Sequence, residues 1–524
     1  MILVKPLPHR VRSAQAMKRV KKLSHMATPE INSLPPQLPF DDELVESFLN
    51  IPEGYYFDCK RLGRLDRVIE TVVAFANADG GTIGLGFEDP TKAENHDRLY
   101  GVQENPLALD ELRRLVRSRI TPEIDGLIFS EIGCKLRSGQ IGSVCFLRVP
   151  KSPSVHSIVN DGTFRRLDRS NQQLTAQQIN ELSFARGSIS AESQCVDVDF
   201  ELLETNYWRQ YASMRRLTRP VAEALRHIGL ARVDHADVLR PTRAAVLLFA
   251  EDPAGLLAGK ASIRVLHYKG DRIQHGPTPN LLKPPKTISG PLIRQIADTL
   301  DYLKNELSTG VEMGPLGFEV VHRYPVRVLR EAVTNAVIHR DYHVPTDTQV
   351  RIFADRVEIE SAGLLPGPVS PSNVWKIGSF NRNPLIVNAL REFPDPPNLD
   401  AGEGVRMMFD TMWESRLYLP LYLTRPQVDK DAVLVVILNE HRPTVWDQVS
   451  DFIDQHGRIT NKEVRKLITG GDVLTASKQL REWVQKGLLV VVNAKAAKQH
   501  RSYTKPSTPP DTPLFSKLSG KQKR

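Results

Sequence analysis

The sequence predicts a mixed α/β chain of several domains, an α+β multidomain arrangement. Three observations predict it. The chain has 524 residues, which at roughly 150 residues per domain gives three to four domains. Stretches with apolar residues at helical period alternate with short apolar runs of strand length. Hydrophobic residues make up 41% and charged residues 25%, a globular balance and not that of a disordered or collagen-like chain.

No uninterrupted apolar run reaches about 18 residues, so no membrane span is expected. The four cysteines, Cys59, Cys134, Cys145 and Cys195, are scattered without a CxxC pair. That argues against a four-thiolate zinc site or a disulfide framework and fits a reducing cytoplasm. The formal net charge is +9, unevenly spread. Residues 1–29 hold seven Lys/Arg and no acid, and 495–524 hold eight against Asp511 alone. The two ends therefore carry +14 together and the body −5.

Residues 1–40 lack an apolar period and close on the Pro-rich stretch Leu34–Phe40, so a disordered basic tail is expected. Such a tail neutralises phosphates. It also has the look of an organelle transit peptide, and Met17 or Met26 offers a later start.

The first domain spans 41–187. Asp41–Leu49 reads as a short helix and Gly54–Lys60 as a strand. Leu65–Ala78 has a broad apolar face (Leu65, Val68, Ile69, Val72, Val73, Phe75, Ala76) and runs into the glycine stop Asp79-Gly80-Gly81. Strands follow at Thr82–Phe87, 127–132, 143–149 and Gly162–Leu167. In the block Ala74-Phe75-Ala76-Asn77-Ala78-Asp79-Gly80-Gly81-Thr82, the glycines supply left-handed positions at a helix end, and Asn77 caps or bridges backbone there. The same glycines also suit a concavity whose N–H groups meet phosphate.

That block, with Glu53 and Phe57-Asp58-Cys59-Lys60 before it and Gly162–Asn171 and a 175–183 helix after it, resembles the Schlafen/AlbA-type nucleic-acid-binding domain. Some members are ribonucleases with a three-carboxylate cluster holding a divalent metal. The matching positions are Glu53, Asp58 and Asp89, and oxygen ligands of this kind suit Mg²⁺ or Mn²⁺. Asp58 stands where the family has Glu. The competing reading is an ion pair of Asp58 with Lys60 on one strand face.

Residues 188–324 form a mixed connecting region. Helical patterns occupy 204–216 and 218–228, Pro241–Ala250 is a short helix or strand, Ala261–Tyr268 a strand and Ile288–Leu307 an amphipathic helix. The order of these segments resembles proteins labelled RecG-helicase-like transcriptional regulators. No GxxxxGK[ST] occurs, which excludes a P-loop motor.

Residues 325–440 open on a helix, Val326–His339, in which Glu331 and Asn335 share a face at i, i+4. Strands Thr348–Phe353 and Arg356–Glu360 turn at Ala354-Asp355; helices follow at 384–392 and 404–413, and Val433–Leu438 is a buried strand. The run Arg330–Tyr342, Phe353–Pro366, Phe380–Pro384 and Gly402–Asp410 resembles a divergent GHKL ATPase module, the α/β sandwich of histidine kinases and gyrase.

The resemblance implies ATP and Mg²⁺, with Asn335 as the Mg²⁺ ligand and Glu331 orienting the attacking water. It implies a nucleotide site from Asn335, His339, Arg340, Asp341, Gly363, Asn381, Arg382, Asn383, Gly402 and Gly404, the last two bringing backbone N–H groups to phosphates at a helix start. Ser361 stands where the family reads adenine with Asp, so that contact lacks its carboxylate. The competing reading makes His339–Tyr342 and Asn381–Asn383 a structural polar network.

Residues 441–503 give three helices (Thr444–His456, Lys462–Leu467, Thr475–Lys486) and strands near Leu488–Val492 and 500–504. Thr460-Asn461-Lys462-Glu463 is a capping sequence for the second helix. This order resembles a winged helix-turn-helix. It implies that Ser477, Lys478 and Arg481 face the major groove while Lys495, Lys498 and Arg501 meet phosphate; the alternative is a solvated charged face. Residues 504–524 are a second basic tail.

The parts together imply a DNA-binding, ATP-sensing transcriptional regulator, with DNA or RNA and a nucleotide as partners and a homodimer matching paired binding sites. The alternatives are an enzyme, either a metal-dependent nuclease or an ATPase of the phage-defence kind, and a binding scaffold with an inactive pocket.

Overall fold

The computed structural model describes residues 39–506 except 50, 258, 277, 315–316, 379, 398–401, 469–471 and 493–500. Most of both basic tails, and Lys495 and Lys498, lie outside the described residues. The first domain runs α1 (Asp42–Leu49), β1 (Phe57–Lys60), α2 (Leu65–Ala76), β2 (Gly81–Leu85), α3 (Ala108–Arg119), β3 (Ile120–Thr121), β4 (Ile128–Lys135), β5 (Ile141–Val149), β6 (Ser157–Ile158), β7 (Phe164–Leu167), β8 (Ser170–Gln173) and α4 (Ala176–Arg186). Its main sheet has the order β1-β2-β5-β4, with β1 and β2 parallel and the other pairs antiparallel.

Apolar residues of α2 (Val68, Ile69, Val72, Val73, Phe75) are buried against one sheet face together with Leu112 and Val116 of α3. The opposite face holds a second cluster built on Phe48, Phe57, Phe87 and Phe146. The helix α3 is absent from the sequence reading, although Leu109, Leu112 and Val116 recur at helical spacing.

The next module runs α5 (Asn206–Met214), α6 (Val221–His227), β9 (Ala231–Val233), β10 (Leu239–Pro241), α7 (Arg243–Phe249), α8 (Pro253–Leu256), β11 (Ile263–His267), β12 (Lys286–Ile288), α9 (Leu292–Leu307), β13 (Ser308–Gly314), β14 (Gly317–His322), α10 (Val326–Ile338), β15 (Thr348–Ile352), β16 (Arg356–Ala362), α11 (Pro384–Leu390), α12 (Gly404–Glu414), β17 (Leu421–Leu423) and β18 (Ala432–Leu438). Six of its strands form one sheet in the order β12-β11-β15-β16-β18-β17. β11 and β15 are parallel, and α9 and α10 lie in the long connection that a parallel pair requires.

The sheet thus takes β11 and β12 from the stretch expected only to connect domains. One hydrophobic core extends from Ala191 to Ile437, with every residue of α7 after Arg243 buried inside it. Thr242 decides the helix reading of 241–250: its side chain accepts from the Ala245 N–H as an N-cap.

Inside this core Glu192, 0% exposed, accepts hydrogen bonds from the Leu385 and Ile386 N–H groups at 2.8 Å each, at the start of α11. Burial outweighs those bonds and pushes its carboxyl up to about 7. A carboxyl raised above its unfolded value favours the folded state when protonated. This contribution is therefore complete below the unfolded value and declines as pH rises to about 7, by about 3 kcal/mol. Urea unfolding between pH 5 and 7.5 should show this slope, and Glu192→Gln should flatten it; an unchanged slope refutes the assignment.

The last module runs α13 (Thr444–His456), β19 (Ile459–Thr460), α14 (Asn461–Leu467), α15 (Val473–Gln485), β20 (Val490–Val491) and β21 (Ser502–Thr504), with sheet order β19-β21-β20. The capping sequence holds: the Glu463 carboxylate accepts from the Thr460 N–H at 2.7 Å. Trp446, Leu480 and Trp483 centre its core, and the Trp483 indole N–H donates to the Tyr418 hydroxyl at 3.2 Å, joining it to the preceding module. Among the described residues no helix is long and apolar enough to cross a membrane.

Candidate functional site

Helix α10 is the floor of a cavity of about 640 Å³. Over Glu331–Arg340 seven of the ten residues are buried; the three half-buried ones, Glu331, Asn335 and His339, lie four apart on one face and line the cavity. Asn335 Nδ2 donates to Glu331 Oε1 at 2.9 Å. Burial pushes the Glu331 carboxyl above its ordinary value, opposed by the Asn335 hydrogen bond and the Arg327 charge.

The start of α12 faces this pair. Gly402, with φ of +70°, turns the chain, and Gly404 brings its backbone so close to Glu331 that a Cβ would collide with the carboxylate. The cavity therefore has a helix N-terminus, an acid and an amide at one end, with Arg327, Arg330 and Arg406 exposed on its rim. The rest of the wall is mostly apolar, from Ile359, Val433 and Val435 of the sheet and Leu365, Val369 and Trp375 of the segment after β16.

Ser361 lines the cavity and donates to the Ala336 carbonyl at 2.7 Å, so its oxygen is left to accept. Asn381 lines it as well.

Five other expected nucleotide residues do not line it: Arg340, Asp341, Gly363, Arg382 and Asn383. Arg340 donates to the Val344 carbonyl at 3.2 Å and also to that of Lys260. Asn383 Nδ2 donates to the Ile338 and Arg340 carbonyls at 2.9 and 2.8 Å. Asp341 Oδ1 accepts from the His343 N–H. Arg382 donates to the carbonyls of His339, Ala185 and Leu364. Gly363 (φ +99°) has no room for a Cβ beside Arg382 and Asp341. These residues tie together the chain ends that frame the cavity.

The first-domain carboxylates take different places. Asp58 is buried: Oδ2 accepts from Lys60 Nζ at 2.7 Å and Arg166 Nη1 at 3.2 Å, and Oδ1 from the Cys59 N–H at 3.0 Å. Glu53 accepts from the same N–H at 3.2 Å; burial and then the Asp58 charge push its carboxyl up. Asp89 accepts from the Thr91 N–H and hydroxyl, which hold its carboxyl down. Among the described residues no group of three or more His, Cys, Asp or Glu is arranged to hold a metal ion. Asn77 donates to the His156 and Phe164 carbonyls at 2.7 and 2.8 Å and accepts from the His156 N–H, a backbone bridge.

In the last module Lys478 and Arg481 are exposed on α15, and the Ser477 hydroxyl accepts from Asn461 Nδ2 at 2.9 Å. Arg501 lies just before β21.

The sequence reading missed a buried polar junction joining the first domain to the cavity module. Arg165 binds Asp431 through two bonds of 2.7 and 2.8 Å, and Arg425 Nε adds a third at 2.9 Å. Lys151, Arg186 and Arg382 lie in the same junction, and Phe184 stacks on His343 with centroids 4.2 Å apart.

Residues 53–175 match the family described as "Schlafen, AlbA_2". Residues 346–437 match the family described as "Putative ATP-dependent DNA helicase recG C-terminal". The chain joins these two domain types.

No curated protein matches. Among solved structures, that of the DIP2311 protein from Corynebacterium diphtheriae is 18% identical, with 87% of this chain and 92% of that chain covered and a TM-score of 0.36. Arg165 and Asp431 belong respectively to the Schlafen/AlbA_2 and recG-type segments, so the junction fastens one to the other.

Proposed function

We propose that the chain is a DNA-binding regulator that senses a nucleoside triphosphate. The observation that carries this reading is the cavity end where the α12 N-terminus, Glu331 and Asn335 converge. Backbone N–H groups and rim arginines suit a polyphosphate, and the apolar wall suits a flat base.

A magnesium ion fits this end. It is commonly held by one or two protein oxygens with phosphates supplying the rest, and the Asn335 carbonyl oxygen is the protein ligand available once its amide turns to Glu331. When bound, the ion would neutralise phosphate charge. Glu331, desolvated and therefore more basic, would hold and orient a water beside the terminal phosphate.

The recG-type and Schlafen/AlbA_2 matches support nucleotide and nucleic acid as partners. The three helices and three-stranded sheet at the C-terminus read as a winged helix. In that reading α15 presents Lys478 and Arg481 to the groove with Ser477 beside them, and Arg501 approaches the backbone. Triphosphate binding would shift DNA affinity by about 5- to 150-fold, the usual size of such coupling.

Equilibrium dialysis of ATP with Mg²⁺, followed by DNA titration over a salt series with and without ATP, tests the proposal. Uptake of ATP, a negative salt slope and an ATP-dependent DNA affinity are expected. Absence of ATP uptake at millimolar concentration sinks the sensing reading, and a flat salt response sinks the DNA reading.

A further inference from the structure

One wall of the cavity is held from outside its own module. Lys151 follows β5 in the Schlafen/AlbA_2 segment and is 7% exposed. Its ammonium makes two hydrogen bonds and one ion pair. It pairs with Asp79 Oδ1 at 3.2 Å and donates to the Leu365 and Val369 carbonyls at 3.0 and 2.8 Å. Leu365 and Val369 both line the cavity.

The Asp79 side of this contact is built by the Asp79-Gly80-Gly81 turn. The Tyr55 hydroxyl donates to Asp79 Oδ2 at 3.0 Å, and Gly80 passes so close to Lys151 that a Cβ would lie 2.8 Å from its backbone nitrogen. Gly80, of the glycine pair that suits a phosphate cradle in the sequence, is thus packed against the lysine that holds the cavity wall.

We propose that Lys151 is a positioning residue that fixes the cavity wall at Leu365–Val369 to the Asp79–Gly81 turn, so that a ligand in the cavity is felt in the Schlafen/AlbA_2 domain. The coupling rests on the nucleotide reading above; the tether does not. Both carbonyls lie on the segment after β16, whose local hydrogen bonds (Val369 N to Pro366 O, Val374 N to Ser370 O) are short-range and leave it dependent on outside contacts. The charge is held at a cost. Burial lowers the ammonium's pKa to about 8, against the pull of Asp79 and with Arg186 and Arg382 adding repulsion.

Lys151→Met keeps the length of the stem and removes all three polar contacts. Replacing a buried charge by an apolar side chain of similar volume preserves folding when its partner is removed too, so Lys151→Met/Asp79→Asn is the second variant. Hydrogen exchange is measured on the full chain, first without ligand. Amides of 365–377 should exchange at least tenfold faster in both variants, while those of β15, β16 and β18 stay unchanged. Exchange in 365–377 within twofold of the parent overturns the tether.

The second arm adds MgATP. In the parent chain protection should appear both in 365–377 and around 76–81 and 149–152, where the Ser152 N–H donates to the Ala76 carbonyl. In the variants it should appear in 365–377 alone. Bound ATP that leaves 76–81 unchanged in the parent, or protects it equally in the variants, overturns the coupling. Absence of ATP binding refutes the nucleotide reading and with it the ligand coupling, while the ligand-free arm still decides the tether.

Discussion

Gly404→Ala should abolish most nucleotide uptake while leaving the fold intact. The new Cβ collides with the Glu331 carboxylate, so either the acid swings away from Asn335 or the first turn of α12 withdraws from the cavity. Each outcome removes part of the proposed phosphate end. A rise of at least tenfold in the dissociation constant, about 1.4 kcal/mol, is the expected result in dialysis. The helix itself should not suffer, because alanine is the better helix former by roughly 0.5–1 kcal/mol.

Gly363→Ala makes the contrast. There φ is +99° and the added atom meets Arg382 and Asp341, so the thermal midpoint should fall sharply, whatever happens to binding. If the two variants behave alike, either by both unfolding or by both binding ATP normally, the division between cavity residues and framing residues is wrong.

That division was only partly legible in the sequence. The i, i+4 spacing of Glu331 and Asn335 needs nothing beyond helix geometry, and His339 completes the same face one turn later. Arg340, Arg382 and Asn383 offer no such signal. A polar residue near a ligand motif and one buried among backbone carbonyls look identical until the fold shows which carbonyls are left without partners.

The extent of the central sheet was hidden for a related reason. β11 is parallel to β15, about 85 residues later, and a parallel pairing leaves no local turn signature. The helix α3 is a different case: its apolar spacing was present but masked by Arg113, Arg114, Arg117 and Arg119 on its other positions. The junction was beyond reach, since Arg165 and Asp431 are 266 positions apart and nothing in the segment around Arg165 points to Asp431 as its partner.

Asp431→Ala should cost about 3–5 kcal/mol, because it strips Arg165, itself 8% exposed, of its partner. Burial raises the Asp431 carboxyl. The bidentate Arg165 contact and Arg425 outweigh that effect and hold it at about 2.

A carboxyl depressed from 3.8 to about 2 contributes stability that is complete above the unfolded value and lost as pH falls through the folded one. That contribution is about 2.4 kcal/mol from the two values. The substitution should cost more than this protonation, since truncation also removes the neutral carboxyl's hydrogen bonds and leaves the guanidinium in place. Acid unfolding of the parent chain should therefore lose this contribution between about pH 4 and 2, and Asp431→Ala should lack this component, its stability falling less steeply over that window than the parent's.

The double variant Arg165→Met/Asp431→Leu separates the value of the pair from the harm of half a pair. Removing both charges restores an apolar contact, so it should recover most of what Asp431→Ala loses. If it is as unstable as the single variant, the junction depends on the ion pair itself, and packing between the two domains contributes little.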